Sequence, residues 1–361
     1  FSAFRLFLAT MSFELLLCKQ RIACNGNDIM KPGGNIVRDA EALALPEGRR
    51  VGQPGHAVVR EYLLGRLAEI GLMPFSGEGF ELPFSGQGQS FWNLAARIPG
   101  KNPALDPVLI GAHYDSVIDA PCADDNATAV AVVLAAAEHF QANAMERDLI
   151  VVLFDSEEPP FFQTPLMGST RFYEDHCAGI RFSCVLIMDL IGHDVEIRHE
   201  AARFMPTLRR LVFVLGSESD DALPGVVEWA GSQAKGLKVF PTLNRYIGDM
   251  SDHHAFRLGG QPFLFLSCGQ GRHYHLPSDN LEWINFDKVR HVFALVVDLV
   301  RRIDCTEMSG KPSDPAEFEV RMIRRLIGPA FPVFLKLLGL GQLKTRPDLD
   351  VLAELLSREL G

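Results

Sequence analysis

Acidic residues and histidines follow several short apolar segments of this 361-residue chain. They occur in GAHYDSV, CADDNATA, LFDSEE, IMDLIG and RHYHLPSD, in this order. Crowded carboxylates raise each other's pKa unless a cation compensates their charge. Imidazole and carboxylate donors without a thiolate suit Zn²⁺, and they also accept Mn²⁺ or Co²⁺. The side chains that could hold a metal or act beside it are His113, Asp115, Asp124, Asp125, Asp155, Glu157, Glu158, Asp189 and His275.

The size of this donor set bears on the number of metal ions. A catalytic zinc normally keeps three protein ligands and an open position, so the set is larger than one ion needs. Two metals that share a bridging carboxylate would use all of the good ligands. We therefore expect two zinc ions per chain.

The elements that must position these side chains are short and apolar. Residues 108–112, 149–154, 184–188 and 262–266 form continuous apolar runs, which are typical of strands buried on both faces of a parallel sheet. Ligands of such sheets bind outside the carboxyl ends of the strands, where the acidic residues and histidines should converge. Helix-like stretches alternate with the strands and predict an α/β fold; they are residues 55–72, 126–140, 169–174, 206–215 and 286–303.

Composition and charge exclude several classes of protein. With 47% hydrophobic and 22% charged residues the chain is an ordinary globular protein, and its net charge of −10 argues against nucleic-acid binding. The odd number of cysteines, 7, favours a reducing compartment, and residues 1–42 lack a convincing signal peptide, so we expect a cytoplasmic protein. Since no apolar run is long enough to span a membrane, we expect no membrane partner.

The composition changes after Asp304. KPSDPAE reads as a linker, and Phe318 to Leu360 reads as helices with an unusually apolar face. Such a face must be covered, either by docking on the main domain or by a homodimer formed through these helices. The chain is therefore divided into an N-terminal segment (1–42), a catalytic domain (43–305) and a helical C-terminal appendage (306–361).

The motifs of this chain, taken together, resemble those of the co-catalytic zinc exopeptidases, the family that contains bacterial leucyl-type aminopeptidases and glutaminyl cyclases. The motifs that carry this resemblance are HYDSV, ADDNATA, FDSEE, MDLIG, SDHHAF and YHLPSDN. The resemblance runs from about Leu43 to Ile303 and includes GRRVGQPG before the first helix. It implies one doubly wound α/β domain with a mixed, mainly parallel sheet flanked by helices. The C-terminal appendage lies outside the resemblance.

Carried over position by position, the resemblance also implies roles. His113 and Asp189 would hold one zinc, Glu158 and His275 the other, and Asp125 would bridge both. Glu157 matches the general base of the family, and Asp115 the carboxylate that orients the imidazole of His113. The peptide bond after the bridging aspartate is commonly cis in the family, which implies a cis bond between Asp125 and Asn126.

Candidate pocket residues are less well marked. His253, in SDHHAF, matches a family histidine near the site that does not usually bind metal, and Tyr246 could offer a phenol to a developing oxyanion. Phe161 and Phe162 follow Glu158 in PPFFQTPLM, a longer link than simple aminopeptidases have. These aromatic side chains would favour an apolar first residue of the substrate.

The most favoured function is an aminopeptidase that acts on peptides with a free N-terminus. The long link after Glu158 is reminiscent of glutaminyl cyclases, which use one zinc, whereas Tyr274 stands where cyclases carry tryptophan. Another amidohydrolase and a catalytically inactive binding module remain as further alternatives. An inactive relative should have lost a ligand or the base, and the sequence retains all of them.

Overall fold

A nine-stranded mixed sheet is the framework of this computed structural model, which describes residues 35–196 and 206–360. The strands run in the spatial order β1-β3-β5-β4-β6-β9-β7-β8, and β2 pairs with β3. Their bounds are β1 Met73–Pro74, β2 Glu81–Gly86, β3 Gln89–Ile98, β4 Val108–His113, β5 Leu149–Phe154, β6 Cys184–Met188, β7 Leu211–Leu215, β8 Lys238–Thr242 and β9 Phe263–Ser267.

The four strands predicted from apolar runs are confirmed as the parallel centre of the sheet. β5, β4, β6 and β9 are neighbours, and every residue in them is buried. Their side chains contact helices on both faces, which is why no polar alternation appears in their sequences. The carboxyl ends of these strands therefore lie along one edge of the sheet.

Helices cover both faces of the sheet and confirm the doubly wound α/β class. They are α1 Ile36–Leu43, α2 Pro54–Ile70, α3 Thr128–Ala142, α4 Gly168–His176, α5 Leu223–Gln233, α6 Asn244–Ile247, α7 His253–Leu258, α8 Phe286–Asp304, α9 Ala316–Ile327, α10 Phe331–Leu337 and α11 Arg346–Leu360. One core joins α1, α2, α3, α5 and α8 to the sheet, and a second, rich in phenylalanine, joins α4 and α7 to the opposite face. As expected, α2 stops at Gly71, whose φ of +80° suits glycine.

One predicted helix is wrong. Residues 206–215 divide into a short helical turn, Pro206–Arg210, and strand β7, which pairs with β8 and β9. The run LVFVL is apolar throughout, and periodicity alone cannot distinguish a short buried helix from a buried strand. The β-branched valines and the open edge of β9 favour the strand.

The two ends of the chain differ in what the structure describes. Of the predicted N-terminal segment, residues 1–34 lie outside the described residues, whereas α1 buries Ile36, Ala40 and Leu43 in the main core. The C-terminal helices α9, α10 and α11 share a small core of their own. Within that core α9 packs on β8 and contacts Phe240. None of the described helices is long and apolar enough to cross a membrane.

Candidate metal centre

Three of the predicted ligands meet where β4 and β6 end. His113 is the last residue of β4, Asp189 follows β6, and Asp125 lies in the turn before α3. The His113 Nε2 atom lies 3.3 Å from Asp125 Oδ1 and 3.6 Å from Asp189 Oδ2. All three side chains are buried, so they form one compact donor group.

A second donor group shares Asp125. His275 Nε2 lies 3.3 Å from Asp125 Oδ2 and 3.3 Å from Glu158 Oε2. Asp125 thus presents one oxygen to each group, as a bridging carboxylate must. The structure brings together all five residues that the family resemblance implies as metal ligands; they are His113, Asp125, Glu158, Asp189 and His275.

The spacing of these donors fits zinc. Ligands at about 2.0–2.2 Å from a tetrahedral ion lie about 3.3–3.6 Å from one another, which agrees with the separations of 3.3 and 3.6 Å. Several of these buried atoms, including His113 Nε2, Asp189 Oδ1 and His275 Nε2, accept or donate no hydrogen bond within the described residues. Because buried polar atoms are normally paired, such atoms point to an ion between them.

Electrostatics supports the same conclusion. Burial, together with the nearby Asp125, raises the pKa of Glu158 to about 8. Burial also raises the pKa of Asp189, while His113 and His275 outweigh burial and lower the pKa of Asp125. Burial opposes a charged His275, yet Asp125 and Glu158 raise its pKa to about 10. So many negative charges in a buried space favour a bound cation.

Glu157 lies beside the donors and belongs to neither of these two groups, although His113, Glu157 and Glu158 also lie close enough together to hold an ion. Its Oε2 atom is 3.8 Å from His113 Nε2, and the side chain is buried. Burial raises the pKa of Glu157 well above its ordinary value; His113 opposes this shift, and Glu158 and Asp189 add to it. A carboxyl group with a raised pKa next to metal ligands is suited to accept and return a proton near neutral pH.

Asp115 supports both the first ligand and the pair Glu157–Glu158. Its carboxylate lies 3.4 Å from His113 Nδ1, on the side of the ring away from the donors. The same carboxylate accepts hydrogen bonds of 3.1 Å from the backbone N–H groups of Glu157 and Glu158. One buried side chain thus sets the position of an imidazole, the candidate base and a carboxylate ligand.

The turn that carries Asp125 is held from two sides by residues that the sequence did not single out. The expected cis peptide bond between Asp125 and Asn126 is confirmed. Asp279 accepts hydrogen bonds from the backbone N–H groups of Asp124 and Asp125, at 2.9 and 3.1 Å. The fully buried Arg49 donates to the backbone carbonyl of Asp125 at 3.1 Å.

A weak signal for these supports exists in the motifs themselves. Asp279 ends YHLPSD, and Arg49 belongs to GRRVG, yet neither spacing shows that the side chain would bind a distant backbone.

Two further acidic residues, Asp155 and Asp124, have structural roles that the sequence did not indicate. Asp155 accepts hydrogen bonds from His56 Nε2 at 2.7 Å and from the Trp92 N–H at 2.8 Å. Asp124 accepts bonds from the N–H groups of Gly192 and His193.

A cavity of about 390 Å³ opens from the donor groups. Phe162 and Tyr246 line it, as the sequence predicted. Phe161 instead packs edge-on against Phe91, with ring centroids 4.9 Å apart. His253 stacks on Phe265 and bonds to Asn244 Oδ1 at 3.0 Å, so it supports the segment that carries Tyr246.

The hydroxyl of Tyr246 already has partners. It donates to Asp350 of α11 and accepts from Arg346. These contacts place the phenol at the side of the cavity formed by the C-terminal helices. Tyr274 is a second tyrosine in the lining, and its ring stacks on that of His275 with centroids 3.7 Å apart.

Comparison with known proteins identifies relatives of this chain. The Escherichia coli protein YfbL is 28% identical over 222 residues, which cover 55% of this chain and 68% of YfbL. Aminopeptidase YwaD of Bacillus subtilis is 26% identical over 205 residues, which cover 54% of this chain and 40% of YwaD. The chain therefore spans less than half of YwaD.

Solved structures show the same fold. The LapA aminopeptidase of Legionella pneumophila superposes with a TM-score of 0.60 at 16% identity, covering 76% of this chain and 71% of LapA. An Acidobacteriales bacterium glutaminyl cyclase gives a TM-score of 0.59 at 20% identity, covering 78% of this chain and 98% of the cyclase. The model of the family "Peptidase family M28" matches residues 93–300, which is more than half of the chain. The chain with this donor cluster therefore belongs to peptidase family M28.

Proposed function

We propose that the protein is a zinc-dependent aminopeptidase that holds two zinc ions. The observation that carries this proposal is the pair of donor groups that share Asp125, with Glu157 beside them. His113, Asp125 and Asp189 would hold one ion, and Asp125, Glu158 and His275 the other. Zinc at these positions would activate water and polarise the carbonyl group of a peptide.

The residues of the chain then divide the work of hydrolysis. Glu157 accepts the proton of the attacking water as the new C–O bond forms. When the peptide C–N bond breaks, Glu157 returns that proton to the leaving amine, so the base is regenerated in each cycle. Asp115 fixes the relative positions of Glu157 and His113 because its carboxylate contacts the backbone of Glu157 and the ring of His113.

The buried acidic surroundings also bear on the kind of substrate. A free α-amine carries several N–H donors for the carboxylates around the donor groups and, when unprotonated, a lone pair for zinc; an acylated terminus keeps one N–H and no such lone pair. A peptide with a free N-terminus would therefore bind with its amine near the carboxylates and its first carbonyl near Glu157. An N-acetylated peptide would lose that interaction.

A glutaminyl cyclase is the second candidate function. The fold likeness to the Acidobacteriales cyclase and the long link between Glu158 and α4 favour it. A cyclase makes the substrate's own amine attack a side-chain amide and has no use for a water nucleophile. The complete pair of donor groups and the position of Glu157 favour water, and hence hydrolysis.

A panel of three substrates tests the proposal. The zinc-loaded protein should release leucine from leucyl-glycyl-glycine and should leave N-acetyl-leucyl-glycyl-glycine almost untouched. Ammonia release from glutaminyl-glycyl-glycine without peptide cleavage would instead establish the cyclase. Failure on all three substrates would contradict both functions and favour a binding module.

A further inference from the structure

The cavity next to the donor groups is enclosed partly by the C-terminal helices. Leu349, Leu352, Ala353 and Leu356 of α11 and Ile323 of α9 belong to its lining. These residues lie outside the part of the chain that matches the family, which ends at residue 300. The appendage therefore contributes a wall to a site whose chemistry comes from the catalytic domain.

The wall residues of α11 lie on one face of the helix. Positions 349, 352, 353 and 356 follow the spacing i, i+3, i+4, i+7, which places them along one stripe. Leu349 and Leu352 are 3% and 2% exposed, whereas Val351 on another face is 46% exposed. The apolar stripe of α11 thus faces inward, toward the cavity and the small core shared with α9.

The sheet contributes further apolar residues to the lining. Phe213 and Leu215 of β7, Phe240 of β8 and Phe265 of β9 line the cavity. The carboxylates and His275 of the donor groups form the polar end of the lining, and most of its other residues are apolar, with Glu196 and Glu319 among the exceptions. A substrate that bound its amine and carbonyl at the polar end would therefore direct its first side chain toward α11.

Ionic contacts fix α11 to the rim of the cavity. Asp350 of α11 pairs with Arg245 and accepts a hydrogen bond from Tyr246. Arg346 pairs with Glu319, which is only 2% exposed, and with Asp314. Because these charged contacts hold α11 in place, the wall can discriminate between substrate side chains by their shape.

We infer that α11 and α9 form the specificity wall of the peptidase: they receive the side chain of the N-terminal residue and select a large apolar one, such as leucine or phenylalanine. The inference rests on the proposed function. The cavity volume of about 390 Å³ is within the range of about 300–1,000 Å³ that encloses small ligands. Its apolar lining would give a small side chain such as that of alanine few contacts.

Substitutions on two faces of α11 test this inference. Ala353→Phe should fill the cavity, and Leu356→Ala should remove part of its wall. Val351→Phe places the same phenylalanine side chain on the exposed face of α11 and serves as the control. The measured quantity is the ratio of kcat/KM for phenylalanyl to alanyl p-nitroanilide, with the melting temperature recorded for each variant.

We expect Ala353→Phe and Leu356→Ala each to lower this ratio by about tenfold, since even one methylene group in an apolar pocket changes discrimination by about 10–200-fold. Val351→Phe should keep the wild-type ratio. If both wall variants keep the wild-type ratio, or if Val351→Phe shifts it equally, the inference is overturned while the aminopeptidase proposal stands. Should Ala353→Phe fail to fold, Leu356→Ala decides alone.

A binding measurement separates failure of this inference from failure of the proposed function. If the wild-type chain cleaves neither anilide, calorimetry with L-phenylalanine and L-alanine on the zinc-loaded chain tests the wall directly. Tighter binding of L-phenylalanine that is lost in Ala353→Phe supports the wall even though the enzyme proposal fails. Equal binding of the two amino acids, or an unchanged preference in Ala353→Phe, overturns it.

Discussion

The two ends of the cavity come from different parts of the chain and depend on different forces. The polar end is built largely from residues at strand ends, held in place by buried hydrogen bonds with Asp115, Asp279 and Arg49. The apolar end is built from the sheet face and from α9 and α11, which share a small core, although Phe318 and Met322 of α9 also belong to the main core. If α9 and α11 select the substrate as proposed, catalytic chemistry and selectivity can change independently in this protein.

The largest expected effect is at the polar end. Glu157→Gln removes the proton acceptor while keeping the shape of the side chain, so kcat should fall by about 10²–10⁴-fold. Zinc content and melting temperature should stay close to the wild-type values. Glu61→Gln, an identical change at an exposed position of α2, is the control and should keep full activity. Turnover of the Glu157→Gln variant at the wild-type rate would remove Glu157 from the mechanism.

A smaller effect is expected when a supporting residue is changed. Asp115→Asn keeps the size of the side chain but weakens its interaction with the His113 ring and with two backbone N–H groups. Supporting carboxylates of metal ligands typically contribute about 10–100-fold in metal affinity or activity. Zinc affinity and kcat/KM should be measured together. An Asp115→Asn variant with wild-type values of both would show that the ligands need no such support.

A substitution at the apolar end should lower the stability of the fold and leave metal binding unchanged. Leu352 is 2% exposed, so Leu352→Ala should lower the free energy of unfolding by about 2–5 kcal/mol. Zinc content should remain unchanged because the ligands lie on other elements. Val351→Ala is the control on the exposed face, and its effect should stay within about 0.5 kcal/mol. Loss of zinc from Leu352→Ala would contradict the independence of the two ends.

The smallest expected effect concerns pH. Burial raises the pKa of Glu319 from 4.5 to about 7, although Arg346 opposes this shift. The folded state thus binds a proton that the unfolded state releases between these two values, so this group favours folding at low pH. That contribution should be lost as the pH rises through 7. The melting temperature of the wild type minus that of Glu319→Gln should therefore fall between pH 5 and pH 8; a constant or rising difference would contradict the shift.

The polar end was largely predictable from the sequence because its residues are tied to strand ends. His113 and Asp189 follow apolar runs that are buried on both faces, and the alternation of these runs with helix-like stretches favours strands. Parallel strands then bring their carboxyl ends to one edge, whatever the details of packing. The family resemblance added the pairing of the ligands, and the distances in the structure are compatible with that pairing.

The remainder depended on contacts between distant residues. Nothing in the C-terminal sequence indicates that Leu352 would line the same cavity as Asp189. The two residues are more than 150 positions apart in the chain. Asp279 and Arg49 bind backbone groups of their partners. Since almost every residue carries the same backbone groups, the residue types of the partners do not reveal these contacts. The run at 211–215 became a strand because β9 had a free edge, which is information that only the assembled sheet supplies.

Metal content tests the central claim, that two donor groups share Asp125, most directly. The full chain and an Asp125→Ala variant should be dialysed against zinc and freed of excess metal. Their zinc content should then be measured by inductively coupled plasma mass spectrometry. We predict two zinc ions per wild-type chain and a loss of both in Asp125→Ala, because Asp125 belongs to each group. Saturation of the wild type at one zinc, or retention of two by Asp125→Ala, would contradict the account.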